Sequence, residues 1–474
     1  MTLEKSRRPK YQLLAEGLRS SIRQGRIQPS EGLPSTREMA RQFKMNRHTV
    51  MNALAELISE GWIVAEEKKG YFVTSTLPDA FLRPKSAVKR VISAQKMSYR
   101  FARSIEIDDY CPTSNYKFSF PSGFPDLRLF PVNEFKSHFQ DSLRSTSVLS
   151  YGDPAGHDGL REEIAIYLRR IRNIEERTIV VTNGSQEAIF LLAQLMIKPG
   201  DAVAVEALGY PPAMEALRFA GAKLIPISVD EEGLNVDDLK QKLKRHRIRF
   251  LYTTPLHQYP TTVTLSATRR LQLYELAAKN GIFILEDDYD HEFHYVSQPV
   301  APLASFDPAG LILYTSTFSK ILFPSARVGF MAVPNEVGQQ IARLKRISSR
   351  QNEQILQDTI CRWMVSGGFE RHLRKMRRVY EERRNSMIET LSNLKITDKN
   401  KINWIAPDGG MALWLDIGRD SKVFSASAKR HSLLLNPESA YRLDERIGTH
   451  LRLGFSGQTP SENSHALAQL FSLL

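Results

Sequence analysis

Basic residues are concentrated in the first fifth of this chain, and this asymmetry divides the chain into a basic part and a part of nearly balanced charge. Residues 1–103 contain 20 Lys and Arg against 9 Asp and Glu, a net charge of +11, whereas the rest of the chain carries only +2. We therefore expect a basic N-terminal domain that binds an anionic partner, followed by a body of nearly balanced charge. Nucleic acid is favoured over a membrane surface, because the segment has no basic amphipathic helix and no lipidation signal.

Length and cysteine content narrow the class of protein further. At 474 residues the chain is too long for one hydrophobic core, so two or more domains are expected. The sequence has neither an apolar run long enough to span a membrane nor the apolar core of a secretory signal. Cys111 and Cys361 provide no disulfide framework and no metal-binding spacing, so we predict a cytoplasmic protein with no metal site.

The N-terminal segment has the pattern of three short helices. Apolar residues recur at helical spacing between residues 11 and 22. In the stretch "LPSTREMARQFKMNRHTVMNALAELISEGW", Ser35 and Glu38 form a capping box that starts a second helix. Asn46 is a good N-cap for a third helix, which Gly61 ends.

The third helix and the residues after it predict a winged helix-turn-helix. Val50, Leu54, Leu57 and Ile58 are expected to form the buried stripe of that helix. The following "WIVAEEKKGYFVT" predicts a β-hairpin with residues 68–70 at its tip. A helix-turn-helix presents the first turn of its second helix to the major groove of DNA. A three-helix structural domain with a solvated basic face has the same helix pattern, but the wing and the charge asymmetry favour DNA binding.

Residues 9–75 resemble the winged helix-turn-helix of GntR-type transcription regulators. The similarity rests on the LPSxRE box, the RxTV segment and the hairpin, which follow one another at matching intervals. It implies a DNA-binding domain over residues 1–75 that contacts a double-stranded operator through Arg37, Arg47, His48, Thr49, Lys69 and Gly70. Arg47 is suited to bond a guanine bidentately, and Thr49 to reach a base or a phosphate. Asn46 and His48 replace the Ser or Thr common in relatives, so the resemblance does not give the operator sequence.

Residues 76–114 are interpreted as a basic linker. Seven Lys and Arg against one acid lie between residues 76 and 103, with Pro78 and Pro84 interrupting any periodicity. This composition predicts a flexible tether. It is either a solvated linker or a second phosphate-binding patch whose contribution depends on salt.

The remainder, residues 115–474, alternates helical patterns with short apolar strands, which indicates an α/β domain. Three polar clusters stand out, each common in α/β proteins and uninformative alone. A helix N-terminus at 184–186 offers free N–H groups to an anion. His257, Gln258 and Tyr259 follow one apolar strand, and Asp287 follows another.

These clusters, together with "STFSKILFPSARVGF", occur in the order of a pyridoxal phosphate (PLP) site. The aldehyde of that cofactor needs an amine for a Schiff base, and its pyridine nitrogen needs a carboxylate. Its phosphate needs amide N–H groups, hydroxyls and a guanidinium. Lys320 would supply the amine and Asp287 the carboxylate. The phosphate group would be bound by Gly184, Ser185, Gln186, Thr317, Ser319 and Arg327.

Residues 115–474 also resemble fold-type I aminotransferases. Further matching motifs are "SYGDPAGHDGLREEIAIYL", "ALGYPP", "ERHLRKMRRVYEERRN" and "HLRLGF". The resemblance implies a homodimer in which Tyr151 reaches the partner's phosphate, Tyr210 stacks on the cofactor ring and Tyr289 bonds its phenolic oxygen. It also implies that Arg452 holds a ligand carboxylate. The usual Asn-Pro-Thr-Gly is replaced by "YPTT", which leaves Gln258, Tyr259 and Tyr289 as alternative partners of the phenolic oxygen.

A GntR-like domain fused to an aminotransferase-like domain resembles the MocR subfamily of regulators over nearly the whole chain. This implies a regulator that senses a small amino compound by external aldimine formation at Lys320. The alternatives are a working aminotransferase with an appended DNA-binding domain, and a regulator that senses PLP itself. The expected fold is a winged helix followed by an α/β domain with a mainly parallel central sheet, helices on both faces and a smaller C-terminal α/β portion.

Overall fold

A computed structural model describes residues 8–78, 116–121, 123–296, 300–397, 402–444 and 446–474. The chain divides into two compact units, residues 1–109 and 110–474. Most of the predicted linker, 76–114, lies outside the described residues, so its boundaries stay predictions. No helix of the described segments is both long and apolar enough to cross a membrane.

The N-terminal unit consists of three helices and a hairpin. They are α1 (Lys10–Arg23), α2 (Thr36–Gln42), α3 (Arg47–Ser59), β1 (Ile63–Glu66) and β2 (Gly70–Val73). The predicted capping box is present, because Ser35 and Glu38 each accept a hydrogen bond from the other's backbone N–H. The side chain of Asn46 caps α3 by accepting the N–H of His48 at 3.0 Å.

The buried stripe of α3 differs from the prediction at one position. Val50, Leu54 and Leu57 are buried as expected, and Ala53 is buried with them. Ile58 was predicted to be buried, but 39% of it is exposed. These four buried residues have the spacing i, i+3, i+4 and i+7, which already fills the face toward α1 and the hairpin, so Ile58 lies at its edge.

The larger unit alternates strands and helices through most of its length. Its helices are α4 (Val132–Leu143), α5 (Asp158–Arg172), α6 (Gly184–Met196), α7 (Pro211–Phe219), α8 (Val236–Leu243), α9 (Ala267–Asn280), α10 (Asn335–Ser348), α11 (Gln354–Val365), α12 (Gly368–Thr397), α13 (Ser421–Arg430) and α14 (Pro460–Leu473). Its strands are β3 (Phe118–Ser119), β4 (Thr178–Thr182), β5 (Ala202–Glu206), β6 (Lys223–Ile227), β7 (Val229–Asp230), β8 (Gly233–Leu234), β9 (Ile248–Thr253), β10 (Phe283–Asp287), β11 (Ile312–Thr317), β12 (Gly329–Val333), β13 (Asn403–Trp404), β14 (Ala412–Asp416), β15 (Leu433–Leu434), β16 (Asn436–Pro437) and β17 (His450–Gly454).

A seven-stranded sheet forms the centre of this unit, with strand order β4-β12-β11-β10-β9-β5-β6. Only β12 runs antiparallel to its neighbours β11 and β4, so the sheet is mixed and mainly parallel, as predicted. The carboxyl ends of β9, β10 and β11 therefore lie side by side at one edge. Open α/β sheets bind ligands at such an edge.

Helices cover both faces of the sheet, which the almost continuous apolar runs of its strands require. On β9, Leu251 belongs to one core, with residues of α5 and α9, while Phe250 and Tyr252 belong to the other, with residues of α6 and α7. Successive side chains of a strand point to opposite faces, so each strand contributes to both cores.

A smaller antiparallel sheet, with strand order β13-β14-β17-β16, belongs to the C-terminal portion. In the register of β14 and β17, Trp414 pairs with Arg452, and Asp416 pairs with His450. These four side chains share one face, because residues two apart on a strand point the same way.

Candidate functional site

A cavity of about 460 Å³ lies at the edge of the central sheet where β9, β10 and β11 end. Its volume falls within the range of small-ligand sites. Its lining includes ten of the predicted site residues, which come from distant parts of the sequence: Ser185, Gln186, Tyr210, Asp287, Tyr289, Thr317, Ser319, Lys320, Arg327 and Arg452.

Lys320 ends a single 3₁₀ turn, Phe318–Lys320, that directly follows β11. Its ammonium donates a hydrogen bond to the carbonyl of Gly123, at 2.9 Å. Burial lowers the pKa of the Lys320 amine, although Asp290 and Asp287 oppose this effect. A lowered pKa increases the fraction of neutral amine, which is the form that attacks a carbonyl.

Asp287 is the last residue of β10 and is 3% exposed. One carboxylate oxygen, Oδ2, accepts a hydrogen bond from the Tyr252 hydroxyl at 2.9 Å. The other, Oδ1, has no hydrogen-bond partner among the described residues. Burial raises the pKa of Asp287 to about 7. A buried carboxylate oxygen without a partner is costly, and a protonated pyridine nitrogen would satisfy it.

The opposite end of the cavity is suited to an anion. The helix α6 begins there, and Ser185 and Gln186 of its first turn line the cavity. Free N–H groups and the dipole of a helix N-terminus attract anions. The hydroxyl of Thr317 lies 2.9 Å from that of Ser319 and accepts the Ser319 N–H at 3.1 Å. Arg327 adds a guanidinium and donates to the carbonyl of Asn183 at 2.8 Å.

Gly184 does not line the cavity itself, but the packing behind the anion end requires a glycine. Its φ is +76°, and a Cβ at this position would lie 2.8 Å from Nη2 of Arg327. Any side chain would therefore displace the guanidinium. Gly184 thus contributes by allowing the guanidinium of Arg327 to lie close to the backbone at the start of α6.

Tyrosines surround the guanidinium of Arg452. This arginine is 1% exposed and donates to the carbonyl of Pro260. The ring of Tyr259 lies over it, with the ring centre 4.3 Å from Cζ. Tyr259 is also in edge contact with the rings of Tyr210 and Tyr289. The hydroxyl of Tyr289 donates to the carbonyl of His257 at 3.0 Å.

Besides Gly184, two predicted cofactor residues do not line this cavity, Gln258 and Tyr151. Gln258 was predicted to bind the cofactor, but it is buried behind the cavity wall and absent from its lining. Its amide donates toward Glu206 at 3.1 Å and the Leu208 carbonyl at 2.7 Å, and accepts from Thr261. Because these contacts satisfy the amide, Tyr259 and Tyr289 remain as the candidate partners of a phenolic oxygen. Tyr151 also lies outside the cavity and is 74% exposed.

Sequence reasoning missed Tyr252 and Thr254, which also line the cavity. Tyr252 belongs to an apolar strand and pairs with Leu285 on β10, two residues before Asp287. The hydroxyl therefore reaches Asp287 only because β9 and β10 are neighbours in this register. No local pattern in the sequence carries that information.

The raised pKa of Asp287 predicts a pH dependence of stability in the cofactor-free protein. The folded protein holds this proton more tightly than the unfolded chain, so stability decreases as pH rises toward and through 7. The Asp287→Asn variant lacks this proton. Between about pH 6 and about pH 8, its free energy of unfolding should therefore increase by about 1 kcal/mol relative to the original protein.

Denaturant unfolding at both pH values checks this difference. Other buried acids with raised pKa values, such as Glu286 and Glu292, are present in both proteins and largely cancel. A constant difference across the two pH values would mean that Asp287 is already ionised in the folded protein.

Thr262 is the last residue of "YPTT" and stands where the usual Asn-Pro-Thr-Gly motif has glycine. Its φ is +68°, a backbone conformation in which a β-branched residue is strained. At ordinary positions glycine is less stable than alanine by about 0.5–1 kcal/mol. Here we expect the reverse. Thr262→Gly should be more stable than Thr262→Ala by about 0.5–1 kcal/mol, because only glycine accepts this φ without cost.

Urea unfolding of the two variants measures this order. Thr264 provides the matched position, because it lies in the same loop and is not among the residues with positive φ. Thr264→Ala should be more stable than Thr264→Gly. The same order at both positions would contradict the strain at Thr262.

In the N-terminal unit, the predicted DNA-contacting residues lie at exposed positions. Arg37, Arg47 and His48 are exposed, and Thr49 is half-buried. Nε of Arg47 donates to the hydroxyl of Thr36 at 3.2 Å, which links the start of α3 to the start of α2. At the tip of the hairpin, Lys69 and Gly70 are also exposed.

Each of the two units matches a known protein family. The model of the aminotransferase class I and II family matches residues 117–470, and that of bacterial regulatory proteins of the gntR family matches residues 10–73. The probable rhizopine catabolism regulatory protein MocR of Rhizobium meliloti is 28% identical over 473 residues, covering 98% of this chain and 93% of that protein.

Enzymes match the larger unit. Aromatic-amino-acid aminotransferase 1 of Thermococcus litoralis is 29% identical over 71% of this chain and 83% of its own length. A crystal structure of Pyrococcus horikoshii kynurenine aminotransferase superposes with a TM-score of 0.72 at 26% identity, covering 83% of this chain and 95% of that one. The chain therefore belongs to the aminotransferase class I and II family and, with its gntR-type N-terminal domain, is a helix-turn-helix regulator of the MocR type.

Proposed function

We propose that this protein is a PLP-dependent transcription regulator that senses a small amino compound at Lys320 and acts on a double-stranded operator. One observation carries the proposal. The amine of the half-buried Lys320 and a buried carboxylate oxygen of Asp287, which has no partner among the described residues, line one cavity in a chain with a gntR-type domain. An amine and an acid in this arrangement suit a cofactor that has an aldehyde and a pyridine nitrogen.

Different residues of the cavity would bind different parts of the cofactor. Oδ1 of Asp287 would accept a hydrogen bond from the protonated pyridine nitrogen, and Tyr210 would stack on the ring. The N-terminus of α6, with Thr317, Ser319 and Arg327, would bind the phosphate. Tyr289 or Tyr259 would donate to the phenolic oxygen. Tyr151, exposed on this subunit, would bind the phosphate held by the partner of a homodimer.

When bound, the cofactor would supply an aldehyde that condenses reversibly with primary amines. Lys320 is the resident amine, and its lowered pKa favours both its attachment and its release when an effector amine takes its place. The released lysine is then available to hold or return a proton. Arg452 would bind the effector's carboxylate bidentately, which requires that its contacts with Pro260 and Tyr259 loosen.

The effector would regulate the operator through a difference in affinity. A ligand shifts a conformational equilibrium only if it binds one state more tightly than the other. The proposal therefore requires two states of the large unit that hold the DNA-binding units differently. A protein that binds an operator would act in the cytoplasm, the compartment that the sequence predicts.

Visible absorption of the cofactor-loaded protein, titrated with a panel of amines, tests the proposal. A sensor gives a spectral change with one amine that persists without a keto acid, and the same amine changes the operator footprint. If no amine changes either the spectrum or the footprint, the sensing role is wrong.

The second candidate is a working aminotransferase with an appended DNA-binding domain. It is favoured because Lys320, Asp287 and Arg452 all line the same cavity and because enzymes match the larger unit. Release of a keto acid, with recovery of the original spectrum by a second keto acid, would select it. A regulator of PLP supply is a third candidate, selected if PLP alone changes operator occupancy.

A further inference from the structure

A second cavity, of about 370 Å³, lies in the larger unit beside the first. One wall is the loop 261–264 that follows β9, together with Glu231. The other wall is formed by residues 403–408 and by the small sheet, through Trp414, Asp416 and His450. The cavity therefore lies between the loop that follows β9 and the small sheet, and none of its lining residues also lines the first cavity.

The two cavities share one face of the small sheet. Trp414 pairs with Arg452 and Asp416 pairs with His450, so this face runs from the guanidinium of the first cavity to the floor of the second. The loop after β9 links the two cavities, because the carbonyl of Pro260 in this loop accepts a hydrogen bond from Arg452 of the first cavity. Thr261 and Thr262, the next two residues, already line the second cavity.

Aromatic rings provide much of the wall. Trp404 and Trp414 are both half-buried, so part of each indole remains accessible. The imidazole of His450 stacks on Trp414, with centroids 5.2 Å apart and an interplanar angle of 8°. Nδ1 of His450 lies 2.9 Å from the carboxylate of Glu438, which fixes the stacked ring. The tryptophan faces are the preferred partners of cations in proteins.

The charge of the lining is opposite to that of the chain. Glu231, Asp408 and Asp416 contribute three carboxylates, and the described residues that line the cavity include no lysine or arginine. The whole chain has a formal net charge of +13. Asp416 accepts the Gly418 N–H with Oδ1 at 2.9 Å, and no other hydrogen bond to its carboxylate is seen among the described residues.

We propose that this cavity is a second ligand site, which binds a small organic cation with an apolar body. Aromatic faces would contact the cation and its apolar groups, and the carboxylates would balance its charge. The proposal is independent of the cofactor, because no residue of this cavity contributes to the first. Since one wall is the loop 261–264 and the other includes the small sheet, an occupant would favour one position of that loop relative to the small sheet.

Isothermal titration calorimetry of the full-length, cofactor-loaded protein with benzyltrimethylammonium chloride tests this site. The probe has no N–H group and cannot condense with an aldehyde, so binding should leave the visible spectrum of the cofactor unchanged. Benzyl alcohol provides an uncharged comparison and should bind much more weakly. We expect saturable binding of the quaternary ammonium ion.

Two variants locate the binding. Asp416→Asn keeps the acceptor for the Gly418 N–H but removes the charge, and Trp404→Leu keeps an apolar side chain but removes the ring. Each should weaken binding roughly threefold to thirtyfold, the range of one cation–π or charge contact. Glu336→Gln, an exposed acid on α10, is the matched control and should bind like the original protein.

The proposal is overturned if no saturable heat is seen up to millimolar probe. It is also overturned if the two cavity variants bind as tightly as Glu336→Gln. A displaced visible spectrum would place the probe in the first cavity instead, and would equally contradict a separate site.

Discussion

Replacing Lys320 with alanine should abolish the amine response completely. The variant has no resident amine to link the cofactor, so its PLP should show the absorption of the free aldehyde rather than that of a lysine adduct. Operator binding without effector should persist, because Lys320 belongs to the larger unit and the DNA-contacting residues to the other. Absorption spectra and electrophoretic mobility shifts of the same preparation measure both properties.

Lys198→Ala is the matched control, because this lysine is exposed in the loop between α6 and β5. It should retain the spectrum and the response of the original protein. A Lys320→Ala protein that still responded to the effector would show that sensing does not need the lysine, and the proposed mechanism would fail. Loss of response in Lys198→Ala as well would indicate a general effect on the fold.

Replacing Arg47 with alanine should weaken specific operator binding by about 1–3 kcal/mol, or roughly fivefold to 150-fold. The reason is that a bidentate arginine contact to guanine is lost at the first turn of α3. The operator would be selected from random-sequence DNA with the original protein, and affinities compared at one salt concentration. Discrimination against substituted guanines should weaken together with affinity.

Three further variants separate a base contact from other effects. Lys69→Ala, at the wing, should weaken binding to all DNA sequences by a similar factor. It should also reduce the salt dependence of binding by about one released counterion. Thr36→Val removes the acceptor for Arg47 Nε without removing the guanidinium, so it measures the contribution of that hydrogen bond. Arg169→Ala, exposed on α5, is the control for net charge. If Arg47→Ala lost no more affinity than Arg169→Ala, Arg47 would not contact the operator.

Local signals in the sequence predicted the N-terminal unit well. The capping box of Ser35 and Glu38, and the N-cap at Asn46, depend on residues within one turn of each other. Such interactions are encoded by spacing alone. Ile58 was assigned to the core wrongly, because the spacing of a short helix does not reveal where the neighbouring helix ends its contact.

The sequence also predicted that Lys320 and Asp287 meet, and both line one cavity. Asp287 ends one apolar strand and Lys320 lies just after the next, and parallel strands bring their carboxyl ends to one edge. The prediction needed only the type of sheet and not its details. The sequence did not predict the hydrogen-bond partner of each side chain. Gln258, for example, also follows the end of a strand, but its amide donates to Glu206.

The sequence by itself thus determined the two units, the class of each fold and the residues capable of the chemistry, because charge, periodicity and capping act over a few residues. The tertiary structure decided which side chains meet. The register of β9 against β10 places Tyr252 on Asp287, and that of β14 against β17 places Trp414 beside Arg452. These contacts join residues tens of positions apart, and they arise from strand pairing and packing rather than from local sequence.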